Sequence, residues 1–485
     1  MRALIGRGNT SEEGSREMSR KFQSRARRGT SLGGEQQQGR VRRGLGRAAV
    51  PACVTGALVL AGGTGIAAAA KAKSSTPTFA QACGTKSVTL TGDFETGFPD
   101  IIDLTKLFSK QYPRVHWKIN TNAYAEITTN APLVLAGKNA PDLVRLPILE
   151  GLVKDHLLLS LNKYYNEYHW NTFPSSVWAQ NRTNGSELNT GQIYAWGLNN
   201  QVTGIYYNKA LARKLGMKGT PKTLAQLEAL FAKAKKAGLT PIEVWNAVPT
   251  GLTFPLQQLM ADYGSVNAIN NWAYDKPGSS IDTPANVRAA TVLASWIKDG
   301  YFNSDATAQT YSGAMSEWTA PGSKDVFLFN GNWQAGSFDT SQPGKYGFFA
   351  MPPVKAGGKV AAIIGPLQYG IAAKAPDPSC TAYFLNWVST NPAARKLNVE
   401  QGGAPPIGPT KLSVPKAKPG TNTEESIQVG VAVAKDNQGM GFITNANGSI
   451  YTESETPELQ SLFAGQTTPA AVLKSIQSAY KSEGS

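Results

Sequence analysis

The stretch Val326-Phe327-Leu328-Phe329-Asn330-Gly331-Asn332-Trp333, continuing as QAGSFDTSQPGKYGFFAMPPVKAGGKVAAIIGPLQYGIAA to Ala373, decides how this chain is read. A short apolar run closed by Asn and Gly reads as a buried strand entering a turn. Trp333 then stands at a strand-to-helix corner, where an aromatic face can meet a cleft. Tyr346 to Ala350 is a second strand, ended by Met351-Pro352-Pro353. Val360 to Ile364 is a third, ended by Gly365-Pro366, and Gln368 to Ala373 is a fourth. Gly365 and Gly370 leave backbone open to close approach. Strand ends, an aromatic and bare backbone together describe a surface that faces a small molecule.

Outward from that stretch, the 485 residues call for two or more domains or lobes. A hydrophobic share of 41% and a charged share of 17% suit a chain with sizeable cores. Abundant Trp, Tyr, Asn, Gln and Thr favour neutral polar ligands over phosphates. The formal charge of +15 suggests nucleic acid at first sight, but its distribution does not. Residues 1–70 hold 12 basic and 4 acidic residues, and the remainder holds 36 and 29. Over half the excess thus sits in the N-terminal tail, whereas nucleic-acid binding needs a basic stripe on a folded surface. No nucleic-acid partner is expected.

Residues 1–47, rich in Arg, Gly, Ser and Gln, are expected to be a disordered basic tail. Residues 48–70 are apolar and uncharged, and Ala68-Ala69-Ala70 offers an A-x-A cleavage site, the pattern of a secretory signal. The competing reading is an uncleaved membrane anchor. Met18 is an alternative start to Met1. Residues 71–85 form a Ser/Thr/Pro-containing linker. Cys53 lies in the apolar segment, leaving Cys83 and Cys380 in the exported part. These two could pair in an oxidising compartment or remain free thiols. Lipidation at Cys83 is a third reading, although Phe79-Ala80-Gln81-Ala82-Cys83 is a poor lipobox.

From Ser87 the rhythm is strand, helix, strand, helix. Val88 to Thr91 is a strand and Asp93-Phe94-Glu95 lies in its following loop. Ile101, Leu104, Leu107 and Phe108 make a helical stripe, and Val115 to Ile119 alternates as a strand. Ala123 to Gly137 is a helix, and Asp142 to Leu146 is a third strand. This βαβαβ order implies a parallel sheet, whose ligands bind beyond the carboxyl ends of strands. Ile193 to Gly197 and Thr203 to Asn208 are further strands, with Asn199-Asn200-Gln201 as a hinge between them.

Several fragments, in order, resemble one family. They are Phe108-Ser109-Lys110-Gln111-Tyr112-Pro113, Ala136-Gly137-Lys138-Asn139-Ala140-Pro141-Asp142, Gln192 to Gly197, Ile205-Tyr206-Tyr207-Asn208-Lys209-Ala210-Leu211, and Pro221-Lys222-Thr223. Later come Asn330-Gly331-Asn332-Trp333, Met351-Pro352, Gly365-Pro366, Phe384 to Val388, and Leu462 to Pro469. Over residues 86–482 the chain resembles the extracellular solute-binding proteins of ABC importers, in the maltose-binding-protein-like (family 1) sugar-binding group. The resemblance implies a two-lobed α/β periplasmic-binding-protein-like fold of the class II type. Each lobe would be a mixed sheet flanked by helices, with a hinge between lobes. Residues 86–199 and 365–408 would make the N-terminal lobe, and residues 200–364 and 409–485 the C-terminal lobe.

It also implies a ligand cleft at the hinge. Trp333 matches the family's cleft tryptophan. Asp93, Phe94 and Glu95 follow the first strand, where relatives contact ligand. Arg145, Trp196 and Trp245 end strands, Gly365 and Leu367 match a cleft-lining turn, and Tyr124 opens the second helix. For each of these, plain packing, capping or surface pairing is the alternative. Trp296 and Trp387 sit in helical stripes and read as core. Three sequons begin at Asn181, Asn184 and Asn447.

His116, His156 and His169 lack metal-ligand spacing, and no Walker A or G-x-S-x-G sequence is present, so no metal, cofactor or catalytic residue is expected. The function implied is an exported, monomeric, non-catalytic subunit. It would capture a sugar or oligosaccharide and deliver it to the permease's transmembrane subunits from the cell envelope. A secreted carbohydrate-active enzyme using Asp93 and Glu95 is one rival. An envelope ligand sensor is another.

Overall fold

The computed structural model describes residues 76–248, 250–446 and 450–483. The basic tail, the apolar segment with Cys53 and the sequon at Asn447 lie outside the described residues.

The first element among the described residues is the short helix Phe79–Cys83, capped by the Thr78 side chain. Cys83 is disulfide-bonded to Cys380 in the helix Pro378–Thr390. β1 (Val88–Glu95) pairs in parallel with β2 (Val115–Asn122) and with β3 (Leu143–Arg145). Helices Pro99–Gln111 and Tyr124–Ala136 make the crossovers. The first buries Ile101, Leu104 and Phe108, so the apolar stripe is what seats it on the sheet. β4 (Arg182–Thr183) and β5 (Gln192–Ile193) form a small separate ribbon.

β6 (Ala195–Asn208) is a single strand of 14 residues. Its first part pairs with β10 (Ala362–Gly370). Its second part pairs with β8 (Asp325–Gly331) and β9 (Tyr346–Phe349). β7 (Thr240–Glu243) adds in parallel to β8, and β11 (Gly439–Met440) to β10. The main path of the sheet is β2-β1-β3-β10-β6-β8-β7.

Two expected strand breaks are absent. Asn199-Asn200-Gln201 lies inside β6, and Gly365-Pro366 lies inside β10, with only a register shift between Pro366 and Gln368. The physical reason is mutual pairing. Pro366 stands opposite Asn200 and Gly365 opposite Gln201, so each strand supplies the ladder that the other's polar or proline residues would lose alone.

The apolar cores change along these two strands. Trp196 and Leu198 of β6 and Leu367 and Tyr369 of β10 pack in a cluster with Leu90, Phe108 and Phe384. Val202 and Ile205 of β6 and Ile363 of β10 pack in another, with Phe231, Trp296 and Phe327. Residues from Val429 to Tyr480 join the latter. The fold is therefore two-lobed, a mixed α/β arrangement, and two paired strands cross between its cores. Trp296 and Trp387 are buried, in the second and the first of these clusters.

Candidate functional site

Where the cores part, a cavity of about 340 Å³ opens. It receives the ends of β1 and β3, the crossing segments of β6 and β10, and the corner after β8.

The β8 corner is built around Asn332. Its side-chain oxygen accepts from the Val202 backbone at 3.0 Å. Its amide nitrogen donates to the carbonyls of Asn200 at 3.3 Å and Gly403 at 3.4 Å. The turn is thus stitched to the crossing strand. Gly331 has no side chain because a Cβ there would lie 1.8 Å from the Trp333 ring. That absence lets the indole fold back over its own strand end. Trp333 then packs against both apolar clusters, with Phe254 on one side and Phe98 on the other, at ring distances of 5.9 and 6.4 Å. Its Nε1 donates to the Tyr311 hydroxyl at 2.9 Å, and Gln334 Nε2 donates to the same oxygen at 2.6 Å. Burial pushes the Tyr311 hydroxyl up to about 12, so it stays protonated.

At the end of β1, Glu95 accepts from Arg145 Nε at 3.0 Å, with side-chain exposures of 12% and 11%. Arg145 also donates to the carbonyls of Leu146 and Gln368. Burial pushes the Glu95 carboxyl up, against the Arg145 charge that pulls it down. Beside the pair, Tyr124 donates to Asn445 Oδ1 at 2.7 Å and meets Tyr451 edge-on at 5.5 Å. Along β10, a Cβ on Gly365 would lie 2.6 Å from Gln180 Oε1, so glycine makes room for that amide at the wall. Gln180 Nε2 donates to the Tyr274 hydroxyl at 3.1 Å and the Ile364 carbonyl at 3.2 Å. Glu150 lines the wall as well, and burial pushes its carboxyl up to about 7.

Of the anticipated site residues, the structure brings Trp333, Glu95, Arg145, Trp245, Tyr124, Gly365 and Leu367 to this cavity. Trp245 is only 1% exposed, and its ring meets Tyr311 edge-on at 4.8 Å, so it mainly backs that tyrosine. Three residues do not line it. Asp93 accepts from Asn120 at 3.1 Å and Asn122 at 2.7 Å, which hold it against β2. Phe94 alternates to the other face of β1 from Glu95 and is fully buried against Trp117 and Tyr369. Trp196 is fully buried in the same core, opposite Tyr369 in the ladder. The sequon at Asn181 is also closed, since Asn181 is fully buried and its side chain bonds Val177 and Gln368.

The sequence reading missed Tyr311, Phe254, Phe442, Tyr451, Gln180, Gln201 and Glu150. Most sit on helices or loops with no strand-end signal. Tyr311 carried a weak one, as the first residue after the helix-capping Thr310.

Residues 91–395 match the family model for bacterial extracellular solute-binding proteins. A multiple sugar-binding protein of Streptococcus mutans is 23% identical over 309 residues, 60% of this chain and 68% of that protein. A chitin oligosaccharide binding protein shares the fold at a TM-score of 0.68 and 17% identity, covering 82% of this chain and 98% of that one. An ABC substrate-binding protein from Listeria monocytogenes in complex with cycloalternan does so at 0.64 and 18%, covering 82% and 99%.

Proposed function

The chain belongs to the family of bacterial extracellular solute-binding proteins, and on that premise we propose that it is the exported, non-catalytic receptor of an ABC importer. It captures a neutral sugar or short oligosaccharide between its lobes and hands it to the transmembrane permease. The single observation that carries this reading is the composition of the cavity wall. Trp333, Phe254, Phe442 and Tyr311 offer ring faces and edges, and Gln180, Gln201 and Gln368 offer planar amides. Aromatic faces suit the C–H side of a sugar ring, and buried amides discriminate hydroxyls. Arg145 is engaged by Glu95, and among the described residues the only other charged one on the wall is Glu150. The wall therefore disfavours phosphates and uronates. A volume of about 340 Å³ lies at the small end of the roughly 300–1,000 Å³ usual for small-molecule sites, which suits a short ligand or the end of a longer one. The chitin oligosaccharide binding protein and the cycloalternan complex among similar proteins agree with the class.

The lobes we assign are residues 86–199 with 365–408 and residues 200–364 with 409–485. The change of core partner along β6 and β10 supports that division, and hinge motion of paired crossing strands would close the cleft. The receptor acts as a monomer in the envelope, tethered or released through its N-terminal segment. A hydrolytic reading would need Asp93 and Glu95 together at the site, and Asp93 is held away by two asparagines. The test is a tryptophan-fluorescence titration of the mature chain with neutral oligosaccharides, followed by chromatography of the sugar. A saturable change with the sugar recovered whole supports a receptor, and cleavage of the sugar overturns it.

A further inference from the structure

Two hydrogen bonds at the cavity join elements that belong to different cores. Tyr124 opens the helix Tyr124–Ala136, whose Ala131 and Leu135 pack with Leu146 and Ala195. Its hydroxyl donates at 2.7 Å to Asn445 Oδ1. Around Asn445, Ile443 and Ala446 belong to the core of Phe231 and Phe327. Gln180 follows Val177 and Trp178, which pack with Trp170 and Trp196. Its Nε2 donates at 3.1 Å to the hydroxyl of Tyr274, just beyond Ile269 and Trp272 of the Phe231 core. All four bonded residues line the cavity.

One segment, from Gly439 to Asn445, supports the far end of both bonds. Gln257 Nε2 donates to the Gly441 carbonyl at 2.6 Å, and its Oε1 accepts from the Ile443 backbone at 3.2 Å. Asn270 Nδ2 donates to the Gly439 carbonyl at 2.9 Å, and its Oδ1 accepts from the Gly441 backbone at 2.8 Å. Two amides, each using both ends, therefore pin the segment to the helices Thr250–Tyr263 and Val266–Ala273. The Thr444 hydroxyl adds a tie to Glu455 Oε2 at 2.7 Å. Asn445 is thus held in place without a ligand. Tyr274 is seated by the same segment, since a Cβ on Gly441 would lie 2.8 Å from its ring. Burial pushes both tyrosine hydroxyls up, so both stay neutral.

We propose that the pairs Tyr124–Asn445 and Gln180–Tyr274 are latches that hold the cleft closed before any ligand arrives and stay made around a bound one. This rests on the division into two hinged lobes proposed above, but not on the ligand being a sugar. The closed form that binds is then already well populated without ligand, so little of the binding energy is lost to closing. Opening exposes all four polar groups to water, which makes each bond a modest bias and the two together a switch in population.

The experiment is Tyr124→Phe combined with Tyr274→Phe, which keeps both rings, including the edge contact of Tyr124 with Tyr451. Small-angle X-ray scattering reads the ligand-free shape, and calorimetry with maltose, raffinose and chitobiose reads affinity. The parent is expected to have the same radius of gyration with and without a binding sugar. The double variant should be more expanded alone and contract to the parent's value when saturated. Its affinity should fall about 5- to 30-fold, and each single substitution should cost about 2- to 5-fold. Asn445→Ala, which removes the first latch from its other end, should reproduce the Tyr124→Phe loss. A ligand-free parent as expanded as the double variant overturns the proposal. So does a folded double variant that binds sugar as tightly as the parent or more tightly. If no probe sugar binds, the sugar reading falls, and the ligand-free scattering still decides the latches.

Discussion

The indole nitrogen of Trp333 donates to the hydroxyl of Tyr311 at 2.9 Å, joining the corner after β8 to the first turn of the helix Tyr311–Thr319. This bond fixes the plane of the ring proposed to lie under the sugar. Trp333→Ala should leave the fold intact and weaken sugar binding about tenfold, since an aromatic contact with a ligand is worth roughly 1 kcal/mol or more. Tyr311→Phe keeps the ring and loses the hydroxyl that accepts from both Trp333 and Gln334, so a loss of about 2- to 5-fold is expected in the same calorimetric titration.

Gly331 makes a sharper test of the corner. A Cβ at that position would overlap the Trp333 ring. Gly331→Ala should therefore push the indole from its place, at a stability cost of about 1–3 kcal/mol. Its affinity loss should match that of Trp333→Ala, and combining the two should add little. A Gly331→Ala protein that binds sugar as the parent does would mean that the ring plane is set elsewhere.

Glu150 predicts how affinity varies with pH. Burial raises its carboxyl to about 7, with like charge from Asp275 adding to the rise. A neutral ligand that displaces water from the wall disfavours the carboxylate further, so binding takes up a proton. Affinity for a neutral sugar should fall as pH rises from 6 to 8. In Glu150→Gln that fall should be absent. Affinity that rises across this window, or an unchanged profile in the variant, would assign the proton elsewhere.

Glu243 predicts the pH dependence of stability. The residue is 1% exposed, and neither carboxylate oxygen has a hydrogen-bond partner among the described residues. Burial, with Asp325, Glu317 and Asp305 adding to it, pushes the group up to about 9. The folded state therefore holds a proton that the unfolded chain releases near 4.5. The stabilising contribution is complete below about pH 4.5 and is lost progressively as pH climbs to about 9. Glu243→Gln should remove this slope and raise the melting temperature at pH 8 relative to the parent. Equal pH slopes in the two proteins would refute this.

The Cys83–Cys380 bridge joins residues 297 apart in sequence. It lies outside the cavity and ties the helix Phe79–Cys83 to the body, where Phe79 stacks on Tyr112 at 4.3 Å. Replacing both cysteines by serine should lower stability by about 2–5 kcal/mol. Sugar affinity should be unchanged, as read by thermal melting and calorimetry side by side.

Much of the fold is legible because apolar spacing dictates it. The stripe Ile101, Leu104, Phe108 and the run Val326 to Phe329 can only be a seated helix and a buried strand. The continuity of β6 and β10 is not legible. Asn199-Asn200-Gln201 and Gly365-Pro366 look like breaks until each is seen opposite the other, and that pairing spans more than 160 positions. At the site, Trp333 announces itself by local turn chemistry. Phe94 and Trp196 mislead, because an aromatic at a strand end faces cleft or core according to a single step of the pleat. Gln201 and Glu150 carry no local signal, and Tyr311 only the Thr310 cap before it; the tertiary fold brings all three to the wall.

The most direct test of the central claim is calorimetry of the mature chain against neutral oligosaccharides, with Trp333→Ala titrated in parallel. Saturable one-to-one binding of at least one sugar by the parent is expected, with about tenfold weaker binding by a variant that still melts cooperatively as a folded protein. Equal affinity in the two proteins, or no binding of any neutral sugar by the parent, would contradict it.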